Sequence, residues 1–250
     1  GLQKRNMDKY FNRNDIVNGY KIVTMIGQGR YGIAYLAINK FGQKCVVKQL
    51  RNEMLKITRD SVIYEERILK TLNSSRFPKF ISEFRDEFRQ GYLLEYIDGI
   101  VFHDLINKEG HEFTREEIYE AALQLLELAE ILHSQGIVHR DIRTPNVILM
   151  KNNQLALIDF GLARFIKSGY SVKTDYWYIG DFLLQLYYST YNNIINKFER
   201  PWFEELDLTI QERIFLRRLM GLDRRYRSIS EIRNQLYKII RLNSRITMYQ

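Results

Sequence analysis

The chain is 250 residues long and 45% hydrophobic, enough to bury one large core or two small lobes with little room for accessory modules. Its 38 Lys and Arg against 30 Asp and Glu give a formal net charge of +8. Because the basic residues are scattered along the chain, most are expected on solvated surfaces, and nucleic acid is not expected as a partner. A lone cysteine, Cys45, excludes an internal disulfide, and polar residues interrupt the most apolar segment, residues 179–195, so a reducing cytoplasm and no membrane span are expected.

The first residues differ in character from the rest of the chain. Residues 1–15 contain no apolar stretch of the kind that a signal peptide needs, so they are expected to form a polar, poorly ordered arm. Residues 16–250 are expected to form a single domain with two lobes, one over about residues 16–97 and one over about residues 98–250.

The first lobe is rich in strand patterns. Residues 20–50 carry many β-branched and aromatic residues punctuated by glycines, which is typical of three antiparallel strands. Apolar residues at helical spacing predict a helix over residues 58–72, and alternation over residues 80–88 and 91–97 predicts two further strands. This lobe is therefore predicted to be a five-stranded antiparallel sheet with one helix packed on it.

The second lobe is mostly helical by pattern. Thr114 and Glu117 have the spacing of a capping box, which predicts the start of a long helix. Two short β-rich segments, residues 147–150 and 155–158, follow that helix, and residues 175–242 have mainly helical periodicity. The predicted fold class is α+β, with a reduced and mostly helical second lobe.

A glycine-rich turn is predicted between the first two of these strands. Its glycines are Gly27, Gly29 and Gly32. Glycines let a backbone turn tightly and approach phosphate oxygens, although this motif alone also fits an ordinary hairpin. Lys48 lies sixteen residues after the last glycine, where its ammonium group could reach phosphates at the turn. Glu65 on the predicted helix is a candidate partner for Lys48, with Glu66 as the alternative.

The most specific pattern is HRDIRTPN, residues 139–146, followed after an interval by the tripeptide DFG that begins at Asp159. Each tripeptide is common alone, but here both occur in order, downstream of the glycine turn and the lysine. The Asp141 carboxylate can take up a proton from a substrate hydroxyl. Asn146 and Asp159 offer the oxygen ligands that Mg²⁺ prefers.

From about residue 20 to residue 236, these motifs resemble the eukaryotic-like (Hanks-type) protein kinases, and in particular their compact, soluble bacterial members. The resemblance implies a bilobal protein-kinase-like fold, ATP and Mg²⁺ as cofactors, and a protein substrate with a serine or threonine acceptor. It implies that the glycine turn covers the phosphates of ATP and that Lys48, paired with Glu65, binds the α and β groups. It also makes Asp141 the catalytic base and assigns the metal to Asn146 and Asp159, while His139 supports the loop.

The same resemblance assigns the residues around adenine. Leu94 falls at the gatekeeper position, the segment from Glu95 to Ile97 falls at the hinge that binds the adenine edge, and Ile148 falls on the floor of the pocket. The family usually has valine and alanine in the roof of this pocket, where this chain has Ala34 and Val46. We expect this exchange to conserve the volume of the pocket.

The chain departs from the family in the segment that usually seats a peptide substrate. Only thirteen residues, 162–174, separate DFG from the segment DYWYIG, and the tripeptide APE is absent. Arg227 therefore lacks the glutamate with which it pairs in the family. Arg140 often binds a phosphorylated residue in relatives, but in so short a segment we expect it to pair with a fixed carboxylate and we expect constitutive activity. The candidate phosphosites are Ser168, Tyr170, Ser171 and Thr174.

Arg143 is a second departure, because serine/threonine kinases usually have lysine at this position. A guanidinium can contact a γ-phosphate through two parallel N–H bonds, so Arg143 is still expected to assist catalysis.

Three functions fit the sequence. The first is a protein kinase that transfers the γ-phosphoryl group of Mg-ATP to serine or threonine, including its own residues. The second is a small-molecule kinase, although such enzymes generally have HGD in place of the HRD that contains Asp141. The third is a nucleotide-binding pseudokinase scaffold, against which the intact Lys48, Asp141 and Asp159 argue.

Overall fold

The computed structural model describes residues 7–29, 32–191 and 200–248. The chain divides into two compact units. The first runs to Asp98 and includes Phe160–Leu162, and the second contains Gly99–Asp159 and the chain from Ala163 onward.

The first unit is built on an antiparallel sheet with the strand order β1-β2-β3-β4-β6-β5. The strands are β1 (Ile16–Val17), β2 (Tyr20–Gln28), β3 (Gly32–Ile38), β4 (Lys44–Leu50), β5 (Phe80–Arg85) and β6 (Gln90–Glu95). Helix α1 (Leu55–Thr71) follows β4 after a short 3-10 turn. The five predicted strands are confirmed, and the two-residue β1 extends the sheet beyond the prediction.

Alternation along the strands gives this sheet two different faces. Ile33 and Tyr35 of β3, Val47 of β4 and Leu93 of β6 are buried on one face, where they form an apolar core. Cys45 belongs to the same core, and its burial raises the pKa of the thiol to about 12, so the thiol is protonated at neutral pH.

Residues 7–15, the described part of the N-terminal segment, pack on this core through Phe11 rather than extending as an unattached arm. Phe11 is only 7% exposed, and its ring meets Tyr35 and Phe84 edge to face. The guanidinium carbon of Arg89 lies 3.7 Å from the centre of the Phe11 ring. The polar residues around Phe11 led us to expect poor order, but one buried aromatic ring fixes the segment because it removes a large apolar area from water.

The second unit is mostly helical. Its helices are α2 (Phe102–Asn107), α3 (Arg115–Ser134), α4 (Lys173–Tyr188), α5 (Trp202–Glu205), α6 (Ile210–Leu219) and α7 (Ile229–Met248). Its short strands are β7 (Ile100–Val101), β8 (Ile137–Val138), β9 (Val147–Leu149), β10 (Leu155–Leu157) and β11 (Arg164–Phe165), which form the sheets β10-β9-β7 and β11-β8. The capping box of Thr114 and Glu117 at the start of α3 is confirmed.

A buried carboxylate ties three of these helices together. Glu212 on α6 is almost fully buried and accepts hydrogen bonds from Tyr119 of α3, Tyr187 of α4 and Arg115 at the start of α3. Burial alone would raise the pKa of Glu212, but the hydrogen bond from Tyr187, the backbone N–H of Thr209 and the charge of Arg115 together hold this pKa below its usual value.

Within the described ranges, no helix is both long enough and apolar enough to cross a membrane.

We expect Phe11→Ala to lower the free energy of unfolding by roughly 3 kcal/mol, because it removes a buried ring and leaves a cavity beside Tyr35 and Phe84. Urea denaturation of the full chain measures this change. The control is Phe41→Ala, where the ring is 76% exposed and the change is expected to stay within about 0.5 kcal/mol. Equal effects of the two substitutions would show that the N-terminal segment does not belong to the core.

Candidate active site

Four candidate site residues of the first unit lie on the sheet face opposite its apolar core. In the strand register, Ala34 of β3 is opposite Lys48 of β4, and Val46 of β4 is opposite Leu94 of β6. Since side chains alternate along a strand, these four residues share one face of the sheet.

Lys48 is paired with Glu65 in this unit. Its Nζ lies 3.1 Å from Oε1 of Glu65, and the Glu65 side chain is 0% exposed. The alternative partner, Glu66, instead binds Lys70 one helical turn further along α1, at 2.6 Å. A buried carboxylate needs a compensating charge, so α1 is anchored to β4 at this point.

Two further groups complete the surroundings of Glu65. The hydroxyl of Tyr92 on β6 donates to Oε2 of Glu65, and the backbone N–H of Phe160 donates to Oε1 at 3.2 Å. The Phe160 ring also packs edge to face on Phe77. One carboxylate therefore joins α1, β4, β6 and the residue that follows Asp159. Tyr92 was not among the predicted site residues, because it lies in an apolar strand pattern that carries no signal for such a role.

The three positions of the turn that carry glycine do so for different structural reasons. A Cβ on Gly32 would lie 2.7 Å from the carbonyl oxygen of Gln49, so the close approach of β4 requires glycine there. A Cβ on Gly27 or Gly29 would meet none of the described atoms within 4 Å. Packing therefore explains Gly32 but not the other two. Residues 30 and 31 of the turn lie outside the described ranges.

Arg51 holds the base of the glycine turn. Its Nε donates to the carbonyl oxygen of Gly29 at 3.1 Å, and its NH1 group lies 3.2 Å from the Asp8 carboxylate. The hydrogen bond that Arg51 donates to the Tyr10 hydroxyl at 3.2 Å is the main reason that the pKa of Arg51 is raised. The N-terminal segment is thereby connected to the turn, a contact that no sequence motif indicated.

The remaining residues assigned to adenine are found in both units. In the first unit, the backbone N–H of Glu95 donates to the Lys79 carbonyl at 2.8 Å, so only its carbonyl oxygen could bind an adenine edge. Ile97 is also buried there. Ile148 lies on β9 of the second unit, where it is buried opposite Val101 of β7.

Asp141 lies in the loop between β8 and β9 of the second unit. Its Oδ1 accepts a hydrogen bond of 2.6 Å from Nε of Arg143, and its Oδ2 accepts one of 3.0 Å from Nδ2 of Asn146. The hydrogen bond to Asp141 is the main reason that the pKa of Arg143 is raised. Both carboxylate oxygens of Asp141 are thus fixed in direction by side chains from its own loop.

His139 has a structural position in this loop. Its Nδ1 accepts a hydrogen bond from the backbone N–H of Asp141, so its proton lies on Nε2, which donates to the carbonyl oxygen of Ile158 at 3.0 Å. Both ring nitrogens are engaged inside the protein, and the residue is 0% exposed. This geometry suits a support for the loop and not acid or base chemistry.

Asp175, in the first turn of α4, holds the backbone of the same loop. Its Oδ2 accepts the N–H of His139 at 3.0 Å and Nε2 of His133 at 2.8 Å, and its Oδ1 accepts the N–H of Arg140 at 2.9 Å. Arg140 has φ of 70°, a left-handed conformation that costs a non-glycine residue of order 1–3 kcal/mol. The hydrogen bonds that these backbone N–H groups donate to Asp175 stabilise that conformation. The segment DYWYIG was noticed as a helix start, but its aspartate was not included among the candidate site residues.

Asn146 and Asp159 are the two candidate metal ligands, and both belong to the second unit. Asn146 is buried and uses its amide nitrogen for Asp141, so Oδ1 is its atom that can coordinate a cation. Asp159 has φ of 58°, a second left-handed residue in a functional motif. Among the described residues, no three His, Cys, Asp or Glu side chains form a metal-binding group. Mg²⁺ suits such a sparse donor set, because it usually keeps several waters and also binds substrate phosphates.

Comparison with known proteins identifies the class to which this fold and these loops belong. The family model described as "Protein kinase domain" matches residues 20–194. The chain belongs to this family and is a Hanks-type protein kinase, and therefore a phosphotransferase.

The relatives agree with this assignment. The probable serine/threonine-protein kinase YbdM of Bacillus subtilis (strain 168) is 34% identical over 249 residues, which cover 96% of both chains. The serine/threonine-protein kinase ppk11 of Schizosaccharomyces pombe is 30% identical over 185 residues, covering 64% of this chain and 59% of that relative. The human serine/threonine-protein kinase Nek5 is 29% identical over 67% of this chain but only 27% of its own length.

We expect Asp175→Ala to lower the free energy of unfolding by at least about 3 kcal/mol, because two backbone N–H groups and the His133 ring would lose their acceptor. Hydrogen exchange at the amides of residues 139 and 140 is expected to accelerate with it. The control is Asp223→Ala, where an exposed pair with Arg217 is lost and the change is expected to stay below about 1 kcal/mol. Unchanged exchange at the two amides would contradict the role given to Asp175.

Proposed function

We propose that this protein kinase transfers the γ-phosphoryl group of Mg-ATP to a serine or threonine hydroxyl of a protein, its own residues included. The observation that carries the proposal is the Asp141 carboxylate, which Arg143 and Asn146 hold by both oxygens in a loop fixed by Asp175. A general base must be oriented before its substrate arrives, and this carboxylate is oriented by its own loop. The serine/threonine kinases among the relatives support the choice of acceptor.

Lys48 is proposed to bind the α and β phosphates. Glu65 neutralises its charge and limits its motion, while 22% of the Lys48 side chain remains exposed for an anion. Gly27 and Gly29, which packing against the described residues does not require, are proposed to let the turn approach the phosphates closely, with Gly32 keeping the turn against β4. Ala34, Val46, Leu94 and Ile148 would contact adenine, and the backbone at Glu95 and Ile97 would bind its edge.

Asn146 and Asp159 are proposed to hold Mg²⁺. When bound, the cation neutralises charge on the phosphates of ATP. The protein supplies oxygen donors for it, Oδ1 of Asn146 and the carboxylate of Asp159, which is the donor chemistry that Mg²⁺ prefers.

Asp141 is proposed to act on the acceptor hydroxyl, and Arg143 on the γ-phosphate. The Asp141 carboxylate takes up the proton of the acceptor hydroxyl. Arg143 uses Nε to orient Asp141, and its two terminal nitrogens remain for the γ-phosphate on a side chain that is 53% exposed. In serine/threonine kinases lysine usually occupies this position, and a lysine could not make both contacts with the fixed geometry of a guanidinium.

The buried Cys45, the lone cysteine of the chain, supports a reducing compartment, and we therefore propose a cytoplasmic location.

Incubation with Mg²⁺ and γ-labelled ATP is expected to place label on serine or threonine, either on the chain itself or on an added acceptor protein. Asp141→Asn and Asp159→Asn are each expected to lower the rate by about a hundredfold or more, since they remove the base and a metal ligand. Mass spectrometry locates the label, and Asp223→Asn, outside the site, is the control expected to retain activity. Label that persists in Asp141→Asn would refute the role of this residue, and labelling of metabolites alone would favour a small-molecule kinase.

The pairing of Lys48 is tested by two neighbouring substitutions. Glu65→Gln is expected to lower kcat/KM for ATP by roughly tenfold to a hundredfold, the effect of losing one hydrogen bond to a charged group. Glu66→Gln changes the adjacent carboxylate, which binds Lys70 on the helix surface, and is expected to stay within about twofold. Steady-state kinetics at varied ATP measures both. Equal losses of kcat/KM in the two variants would mean that a general change in α1, and not the loss of the Lys48–Glu65 ion pair, lowers the activity.

A further inference from the structure

The short segment after DFG is attached to the loop of Asp141 at its beginning. Strand β11 pairs with β8, with Arg164 opposite Val138 and Phe165 opposite Ile137. The N–H of Ile166 then donates to the carbonyl oxygen of Gly136 at 2.8 Å. The start of the segment is therefore fixed to the residues immediately before His139.

Its end is attached to the same loop. After a 3-10 turn over residues 166–168, Gly169 takes φ of 94° and turns the chain toward α4. Asp175 of α4 then accepts the N–H groups of His139 and Arg140. The chain between β11 and α4 thus forms a closed circuit with the loop that carries Asp141.

Tyr170 lies inside this circuit and stacks on Arg140. The guanidinium carbon of Arg140 is 4.6 Å from the centre of the Tyr170 ring, within the distance at which a cation is attracted to an aromatic face. Both residues are partly buried, which strengthens the attraction relative to a fully solvated pair. Arg140 is the residue immediately before Asp141.

We propose that Tyr170 is a positioning residue whose aromatic ring holds Arg140, and through it the loop of Asp141, in the active arrangement without phosphorylation of the short segment. The inference rests on the proposed kinase function. It assigns to an unmodified ring the task for which a charged phosphate would otherwise be needed.

The contact with Tyr170 is a local restraint on the residue that precedes Asp141. It acts on the Arg140 side chain, while Nε of Arg143 donates to Oδ1 of Asp141. Of the neighbouring hydroxyls, that of Ser171 is already engaged, because it accepts the N–H of Lys173 at 3.2 Å.

The ring, not the hydroxyl, is the part of Tyr170 that the inference requires. Tyr170→Leu is therefore expected to lower kcat by roughly twofold to thirtyfold, the range that corresponds to a cation–π contact, with KM for ATP unchanged. Tyr170→Phe keeps the ring and is expected to recover most of this loss. Wild-type protein treated with a phosphatase is expected to keep its activity, and Tyr237→Leu, an exposed tyrosine on α7, serves as the matched control.

Two outcomes would overturn the inference. One is a Tyr170→Phe variant as slow as Tyr170→Leu, and the other is loss of wild-type activity on phosphatase treatment together with phosphate on Tyr170 by mass spectrometry. Either would assign the role to the hydroxyl or its phosphate.

A second measurement separates this inference from the proposed function. The Nε–H resonance of Arg140, assigned by comparison with Arg140→Lys, is expected to show a ring-current shift in wild type and Tyr170→Phe that disappears in Tyr170→Leu. If the wild-type protein is inactive but shows this shift, the proposed kinase function is refuted while the contact between Tyr170 and Arg140 is supported. Absence of the shift in wild type would overturn the inference whatever the activity.

Discussion

A fully buried carboxylate is stable only when its surroundings supply hydrogen bonds or positive charge, and Asp175 is satisfied almost entirely by the loop that it orders. Its two oxygens accept two successive backbone N–H groups and an imidazole, so they connect the end of α3, the loop before Asp141 and the first turn of α4. The start of a helix favours a negative charge, which further stabilises this arrangement. The hydrogen bonds to Asp175 favour the observed course of the backbone at Arg140, and Arg143 and Asn146 then fix the direction of the neighbouring Asp141 carboxylate.

The first unit uses the same physical device. Glu65 is also fully buried, and its partners are a lysine of β4, a tyrosine of β6 and the backbone N–H of Phe160. In each unit, therefore, one buried carboxylate gathers donors from elements that are far apart in the sequence. Removing a single partner from such a group is costly, because the remaining charge stays buried. Such groups favour one arrangement over its alternatives more than they add to overall stability.

The sequence predicted those features that depend on local pattern. β-Branched and aromatic residues between glycines located the first three predicted strands, and alternation located the next two. The capping box located the start of α3, and the spacing of HRDIRTPN and DFG indicated the family. The register of β3, β4 and β6 was not predicted, yet it is what places Ala34, Val46 and Leu94 on one face. Phe11, Tyr92 and Asp175 were missed for one reason: the role of each depends on partners that are distant in the sequence.

The turn between α6 and α7, which contains Arg227, is held by a glutamate close in sequence. Arg227 was expected to lack its usual glutamate, and the structure places Glu231, in the first turn of α7, beside it. One oxygen of Glu231 accepts the backbone N–H of Arg227 at 2.9 Å, and the other accepts NH2 of Arg218 at 2.6 Å. The hydrogen bond from Arg227 is the main reason that the pKa of Glu231 is lowered. The turn between α6 and α7 is thus stabilised without the missing segment.

The short length of the segment between DFG and α4 lowers the cost of ordering it. A longer segment has more conformations to lose on ordering, and the strong contacts of a phosphate can then be needed to fix it. Here the thirteen residues from 162 to 174 are anchored by β11 at one end and by Asp175 at the other. The entropy that remains to be lost between these anchors is small, because the cost of closing a loop falls as the loop shortens. A single aromatic ring contact, such as that between Tyr170 and Arg140, is therefore of the magnitude that so short a segment requires.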